Sequence, residues 1–410
     1  MKKTYKNKSF CRTCNSKKLK TFYDLGNSPV ADDYTQSPNK LVPLPLKILS
    51  CVNCGFKQLS IVVDQTKVYG NYLYTTTTSK GLVEHFKKNL KFFKKKKYIK
   101  KSNFVLDIGS NDGSNLQIYK DFGCEVLGVE PSKELSDYSK KKGINTLNSF
   151  FNKKVVNQVL KKNKKKPNLI CIYNLMANID NLNRFVKNLL FLTSKDTYIV
   201  IETFSLLGIV KYNLFDNIYH EHLSYFNIEH LKSFFNKYGL YIIYAENNKI
   251  KGGSIKLVLS KKKLYNKSVK NSINEEKKYF LNDRETYKNL ENKNLKIKHE
   301  ILRFLHKHNE KKIVGYGASC SSTVLIHFMK IQSYIKFFFD DELRRNKLYS
   351  PSTNIRVFNP TKSLLKKVDI IIIIAWRYKK NILANIKKKF NNLNNFEFYQ
   401  ILPTIKKIKF

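Results

Sequence analysis

No run of the sequence approaches the roughly 20 apolar residues that a membrane-spanning helix needs, and the longest candidate, DIIIIIAW at 369–376, has the length of a strand. The first residues, MKKTYKNKSFCRTC, lack the apolar core of a secretory signal. A soluble, cytoplasmic protein with no membrane partner is expected. Cysteine is too scarce and too unevenly placed for a disulfide framework. Of the seven, four form two pairs near the N-terminus, while Cys124, Cys171 and Cys320 stand alone among apolar neighbours, as small core residues do. That usage suits a reducing compartment. Acidic residues are the other shortage: 31 Asp and Glu face 77 Lys and Arg, a formal net charge of +46. Such a surplus attracts phosphate at long range, as in nucleic-acid-binding proteins. Here, however, the lysines are dispersed and accompanied by an excess of Asn, Ile, Phe and Tyr, the mixture that AT-rich codon usage produces. The expectation that survives is an anionic small ligand rather than nucleic acid.

At 410 residues, 42% of them hydrophobic, the chain is long enough for two or three cores. Residues 1–75 carry C-R-T-C at Cys11 and Cys14 and C-V-N-C at Cys51 and Cys54. A C-x-x-C turn lets two thiolates bind one ion from adjacent loop positions, and two such turns complete a tetrahedral S4 zinc site. With every position filled by sulfur, the metal is structural. Residues 76–260 open with a segment of helical period, SKGLVEHFKKNLKFFKKKK, and continue as strands alternating with helices. The strands are NFVLDIG (103–109), EVLGVEPS (125–132), PNLICIYN (167–174) and TYIVIETF (197–204). This alternation predicts a doubly wound parallel α/β sheet with its site at the carboxyl ends of the strands. LYIIYAEN (240–247) and SIKLVLS (254–260), joined through Gly252 and Gly253, predict an antiparallel pair at the sheet edge. Residues 261–308 read as a long solvated linker helix, and 309–410 as a second, smaller Rossmann-like α/β domain.

Within VLDIGSNDGSNL a strand feeds a loop containing Gly109 and Gly113, and a helix follows. Glycines let backbone approach a ligand, and a helix N-terminus offers free N–H groups. Glu130 ends the next strand, where a carboxylate can accept both hydroxyls of an adenosine ribose. The loop reads D-x-G-x-x-x-G rather than G-x-G-x-x-G, with Asp107 and Asp112 bracketing the turn. Negative charge there repels a pyrophosphate but tolerates the sulfonium and amino group of S-adenosylmethionine. Asp107, Gly109, Asn111, Gly113, Glu130 and Asn174 are therefore the candidate cofactor residues, and a methyltransferase is expected.

The stretch NIYHEHLSYF at 217–226 gathers two of the chain's eight histidines with a glutamate and two tyrosines. Methyl transfer to carbon needs a base to remove a proton next to a carbonyl, and a histidine with pKa near ~6.5 is suited to it at neutral pH. A neighbouring glutamate can orient the imidazole, and a tyrosine can donate to an enolate oxygen.

The four-cysteine module, VLDIGSNDG followed by GVEPS, then FDNIYHEHLSYF, KGGSIKL, VGYGAS and IIAW, together resemble the nucleotide-sugar C-methyltransferases that branch deoxysugars at carbon 3. The likeness spans essentially the whole chain. It implies zinc in the first domain, S-adenosylmethionine in the middle one, and a dTDP-linked 4-keto sugar held between the middle and C-terminal domains. It also implies His222 as base, with Tyr219 and Glu221 beside it and Tyr74 of the Y-x-Y-x-T segment contributing. Asn178, His220, Gly315 and Gly317 are candidates for the substrate side, and GYGAS reads equally as a tight turn. The chain departs from the family pattern in three places. Asn178 stands where histidine is frequent, Thr203 and Phe204 follow Glu202 where the family has proline, and SCSST at 319–323 lacks a lysine common after GYGA. These departures bear on which sugar, and which carbon, is methylated. The alternative is a zinc-containing methyltransferase of RNA or another nucleic acid; no Asn/Asp-Pro-Pro-Tyr/Phe motif or Pro-Cys pair supports it.

Overall fold

A computed structural model of the chain describes residues 5–38, 42–64, 75–79, 81–390 and 396–409. It divides into two compact units, one of residues 1–20, 49–212 and 221–282, the other of residues 21–48, 213–220 and 283–410.

The first unit begins with β1 (Tyr5–Asn7) and two cysteine turns. The chain leaves it along β2 (Leu19–Ser28), returns along β3 (Leu44–Cys51), and continues into β4 (Lys57–Leu59) and β5 (Ile61–Val63). β1 pairs antiparallel with β5. Both cysteine turns close in the same way: Asn15 N–H donates to the Cys11 carbonyl at 3.0 Å, and Gly55 N–H to the Cys51 carbonyl at 2.9 Å. The residue after each second cysteine is left-handed, Asn15 at φ 60° and Gly55 at φ 71°, and Asn and Gly are the residues that tolerate that conformation.

The rest of this unit is built on one sheet of β6 (Phe104–Ile108), β7 (Glu125–Glu130), β8 (Thr146–Asn148), β9 (Leu169–Tyr173), β10 (Tyr198–Phe204), β12 (Tyr241–Asn248) and β13 (Ser254–Ser260). The order is β12-β13-β10-β9-β6-β7-β8, parallel except where β13 runs antiparallel between β10 and β12. The expected edge pair is thus present, with its second strand on the inside. Both faces are covered, because alternate residues of each strand point to opposite sides. Leu106, Ile108, Ile170, Ile172, Ile199 and Ile201 pack on one side, and Val105, Leu169, Cys171 and Val200 on the other. On that second side lies α1 (Leu82–Lys95), whose buried residues Leu82, Phe86, Asn89 and Phe93 recur at helical spacing. The crossovers are α2 (Ser114–Asp121), α3 (Lys133–Lys141), α4 (Lys153–Asn163) and α5 (Leu182–Leu192); α6 (Leu206–Tyr212) follows β10, and α7 (Ile228–Asn236) follows the two-residue β11 (Ser224–Tyr225).

The single solvated helix expected over 261–308 is two helices. α8 (Lys267–Lys277) ends near Tyr279, and α9 (Arg284–Lys307) begins at an Asp283 cap whose side chain accepts from Glu285 N–H. α9 is not solvated all round: Tyr287, Leu290, Asn294, Ile297, Ile301 and Leu305 form a buried stripe. Its lysine-rich exposed face masks that stripe in composition.

The second unit holds β14 (Ile313–Tyr316), β15 (Phe337–Phe339), β16 (Arg356–Phe358), β17 (Ile370–Ile373), β18 (Glu397–Gln400) and β19 (Lys406–Ile408), ordered β16-β15-β14-β17-β18-β19. All neighbours are parallel except β18 and β19. With α10 (Cys320–Met329), α11 (Lys362–Leu365) and α12 (Lys379–Lys389) it forms the second α/β sheet the sequence predicts. Cys320, expected in the core, opens α10 partly exposed.

Candidate active site and metal centre

The two cysteine turns bring four thiols together. Cys11 Sγ lies 3.6 Å from Cys54 Sγ and Cys14 Sγ 3.5 Å from Cys51 Sγ, with all four within 4.8 Å of one another. A tetrahedron with Zn–S bonds of about 2.3 Å has S–S edges of about 3.8 Å, so the cluster fits zinc. Crowding shows in the protonation: the hydrogen bond from Cys54 pulls the Cys11 thiol well below its ordinary value. The module reaches onward through β4, which pairs antiparallel with β11, and through Leu59 N–H, which donates to the Leu223 carbonyl at 3.0 Å.

At the carboxyl ends of β6 and β7 the glycine loop and Glu130 meet directly. Asn111, left-handed at φ 51°, donates its N–H to Glu130 Oε2 at 2.9 Å, and Ser132 N–H donates to Oε1 at 2.9 Å. Burial raises the Glu130 carboxyl above its usual range, against the pull of those two N–H groups. Asp107 is buried and accepts from Asn115 Nδ2 at 2.9 Å; burial pushes it up to about 7. Gly113, at φ +75°, caps α2, and a Cβ there would lie 2.4 Å from Ser139 Oγ. A Cβ on Gly109 would meet Leu175 at 3.2 Å, which places the β6 loop against the loop after β9. Asn174 opens that second loop at φ 54°, and its N–H donates to the Glu202 carbonyl at 2.7 Å. Thr76 and Thr77, outside the predicted set, close over the glycine loop: Thr76 N–H donates to Asn111 Oδ1 at 2.8 Å and Thr77 N–H to Asp112 Oδ2 at 3.2 Å. Among the described residues nothing reaches the buried Asp107 Oδ1 or Ser110 Oγ. An unpartnered carboxylate oxygen and an unpartnered hydroxyl, beside a second carboxylate with spare lone pairs, fit a polar, partly cationic nucleoside.

The segment after the NIYH residues is fastened at several points. Leu223 N–H donates to the Ala177 carbonyl at 2.8 Å, tying it to the turn that carries the buried Asn178. Leu206 N–H donates to the Phe226 carbonyl at 2.8 Å, tying it to the end of β10. Glu221 is buried, and the His222 ring stacks on Phe204, the last residue of β10, with centroids 5.3 Å apart and planes inclined by 19°. Beneath the same strand end runs a buried polar chain. Glu202 Oε2 lies 2.8 Å from His85 Nε2, His85 3.2 Å from Asn89 Nδ2, and Asn89 Oδ1 accepts from Lys256 Nζ at 3.2 Å. Lys256 in turn pairs with Glu246 at 2.8 Å.

The second unit holds Tyr219 and His220, which precede Glu221 in the chain. His220 is buried, and burial drives its imidazole down to about 4, countered by the backbone at Leu44, Pro45 and Pro29. Asp216, four residues upstream, accepts from Arg377 Nη1 at 2.7 Å and from Trp376 Nε1 at 3.0 Å. Gly315 and Gly317 lie at and just beyond the end of β14. A Cβ on the first would strike the Phe338 ring at 2.3 Å and one on the second Ala375 Cβ at 2.2 Å, so close packing alone requires both glycines.

Three family models match in succession. They are a zinc binding domain over residues 11–69, a methyltransferase domain over 82–245 and a C-methyltransferase C-terminal domain over 249–400. The chain is a C-methyltransferase. It is 22% identical over 395 residues to the C-methyltransferase NovU of Streptomyces niveus, which covers 94% of each chain. Among solved structures it is similar to the plantazolicin methyltransferase BamL in complex with a triazolic desmethylPZN analogue and SAH (18% identity, 45% of this chain and 86% of that one, TM-score 0.36). It is also similar to magnesium protoporphyrin IX methyltransferase (ChlM) from Synechocystis PCC 6803 with bound SAM (10% identity, 48% and 89%, TM-score 0.34).

The chain carries a methyltransferase domain and, ahead of it, a zinc-binding module with four clustered cysteines, as its sequence leads one to expect. The structure brings the six predicted cofactor residues to the carboxyl ends of three adjacent strands, β9, β6 and β7, and the loops that follow them. Tyr74 lies outside the described residues. The sequence reading missed His85 and Glu202, a pair 117 residues apart. A signal for it existed, since Asn89 falls in the apolar stripe of α1 and His85 directly precedes Phe86 of that stripe. No helix among the described residues is long and apolar enough to cross a membrane.

Proposed function

We propose that this C-methyltransferase methylates the carbon next to the 4-keto group of a nucleotide-linked deoxysugar, with His222 as the base. The observation that carries the reading is the mounting of His222. Its ring lies flat on Phe204, Glu221 adjoins it, and the following residue is hydrogen-bonded to the turn after β9. That turn follows β9, the strand next to β6 and its glycine loop, which supports reading the imidazole and the candidate cofactor residues as parts of one site. The keto group acidifies the proton on the adjacent carbon. His222 accepts that proton, the electron pair moves onto the ketone oxygen as an enolate, and Tyr219 and Tyr74 are the groups proposed to donate to that oxygen. S-Adenosylmethionine, which the glycine loop, Glu130 and Asn174 would hold, would supply an electrophilic methyl group to the enolate carbon, with the neutral thioether S-adenosylhomocysteine as by-product. Glu221 would steady the imidazolium until its proton is lost to water. Asn178 can hydrogen-bond the sugar but not carry a proton. The lysine-rich composition suits the nucleotide's phosphates.

The test uses a panel of dTDP-, GDP- and CDP-linked 4-keto-6-deoxy sugars and, in parallel, bulk RNA, with methyl transfer read by mass spectrometry. A methylated sugar nucleotide is expected; methylation of RNA alone would overturn the reading. His222→Ala should lower transfer by about 10²- to 10⁴-fold and abolish solvent-deuterium exchange at the methylated carbon when S-adenosylhomocysteine replaces the donor. Exchange at the wild-type rate would remove His222 from the role of base.

A further inference from the structure

We infer that Phe204 is the positioning residue for His222: its ring fixes the plane of the imidazole and presents a π face to the imidazolium form. The inference rests on reading His222 as the base, and deepens it. Centroids 5.3 Å apart and planes 19° from parallel describe offset stacking, in which the Phe204 ring flanks one face of the imidazole. The platform is itself closely packed. Phe204 is 6% exposed, pairs in register with Ser254 of β13, and is abutted edge-on by the fully buried Tyr225 ring at 6.3 Å and 77°. The next residue, Ser205, bridges to Phe226, so the segment bearing His222 is clamped to the same strand end as its platform.

A cation over an aromatic face is favoured over the neutral ring, so the stack strengthens the base as well as aiming it. Other charges face the same region. Glu221 adjoins His222 in the chain; Glu202, paired with His85, shares with Phe204 one face of β10; Lys256 stands opposite Glu202 on β13; and Lys57 of β4 stands opposite Tyr225. These groups remain when Phe204 is changed, which isolates the ring's contribution.

The experiment titrates His222 by NMR in the zinc-loaded full-length protein labelled at histidine, the resonance being assigned by its absence in His222→Asn. Phe204→Leu should lower the His222 pKa by about 0.5–1 unit, and Phe204→Tyr, which keeps the π face, should leave it near wild type. Phe204→Met, which preserves apolar volume without a ring, serves as second variant if leucine disrupts folding, and should shift the pKa in the same sense. S-Adenosylhomocysteine affinity, set by other loops, reports that each variant is folded. An unchanged His222 pKa in a folded Leu or Met variant overturns the inference. The acid limb of the kcat/KM profile then separates the two claims. A limb that moves with the NMR pKa supports both, whereas a limb that stays fixed while the NMR pKa moves leaves the stack intact and removes His222 as the base.

Discussion

Replacing Glu130 by glutamine probes the cofactor edge with a change of one atom. In the folded chain each carboxylate oxygen accepts one backbone N–H, from Asn111 and from Ser132, both at 2.9 Å. Each oxygen keeps a further lone pair, and two are enough for the vicinal hydroxyls of a ribose. Glutamine can satisfy only one of the two N–H groups with its oxygen; its NH2 must face the other, donor against donor. Hydrogen bonds to charged groups are worth about 1.5–3 kcal/mol each. Glu130→Gln should therefore destabilise the first unit by about 2 kcal/mol and, losing one ribose acceptor of comparable worth, weaken S-adenosylhomocysteine binding by about 10- to 100-fold. Calorimetric titration measures the affinity, and urea unfolding measures the stability separately. The decisive comparison is with a 2′-deoxy analogue of the ligand. Wild type should discriminate against it, and the variant should discriminate much less, because the missing hydroxyl and the missing acceptor are the same interaction. Equal discrimination by both proteins would refute the assignment of Glu130 to the ribose, whatever happened to the absolute affinity.

Two further outcomes follow from geometry already described. Cys51→Ser should eliminate stoichiometric zinc and lower the melting temperature; because β4 of the zinc module pairs with β11, which starts two residues after His222, methyl transfer should fall while S-adenosylhomocysteine affinity stays near wild type. Loss of zinc with full activity would separate the module from the site. His220 provides the pH test: its folded pKa, pushed down to about 4, lies below the unfolded ~6.5. Between those values the unfolded chain binds the extra proton, so stability falls as pH drops from about 6.5 to 4, by at most about 3 kcal/mol. His220→Gln should flatten that limb in urea melts at pH 7 and 4.5; an unchanged slope would show that His220 does not titrate differently on unfolding.

Much of the first sheet was legible because its strands are apolar on both faces and end in turn chemistry, as VLDIGSNDG does. The paired cysteines were equally readable, since a tetrahedral site needs little more than two C-x-x-C turns. What escaped was either short or non-local. β8 has three residues, Thr-Leu-Asn, too few to display a period. The break between α8 and α9 is a matter of a capping Asp283 in a lysine- and asparagine-rich tract, where composition conceals both the cap and the buried stripe. His85 meets Glu202, and Phe204 meets His222, only once the sheet has ordered the chain. The second of these was visible in the sequence only as a departure, a phenylalanine near where the family has proline. Its meaning came from the ring it supports.

The placement of β13 also dictates an order of assembly. β13 is the last strand of its sheet to be synthesised, yet it lies inside, between β10 and β12. β10 therefore stands with one row of backbone groups unpaired until residues 254–260 arrive, and β12 cannot join the sheet without β13. The two come as a hairpin, closed locally before it docks across a sequence gap of about 50 residues, the kind of non-local pairing that costs loop entropy before contacts repay it. Phe204 is the β10 residue that pairs with Ser254 at the start of β13, so the platform under His222 reaches its final setting in this closing step.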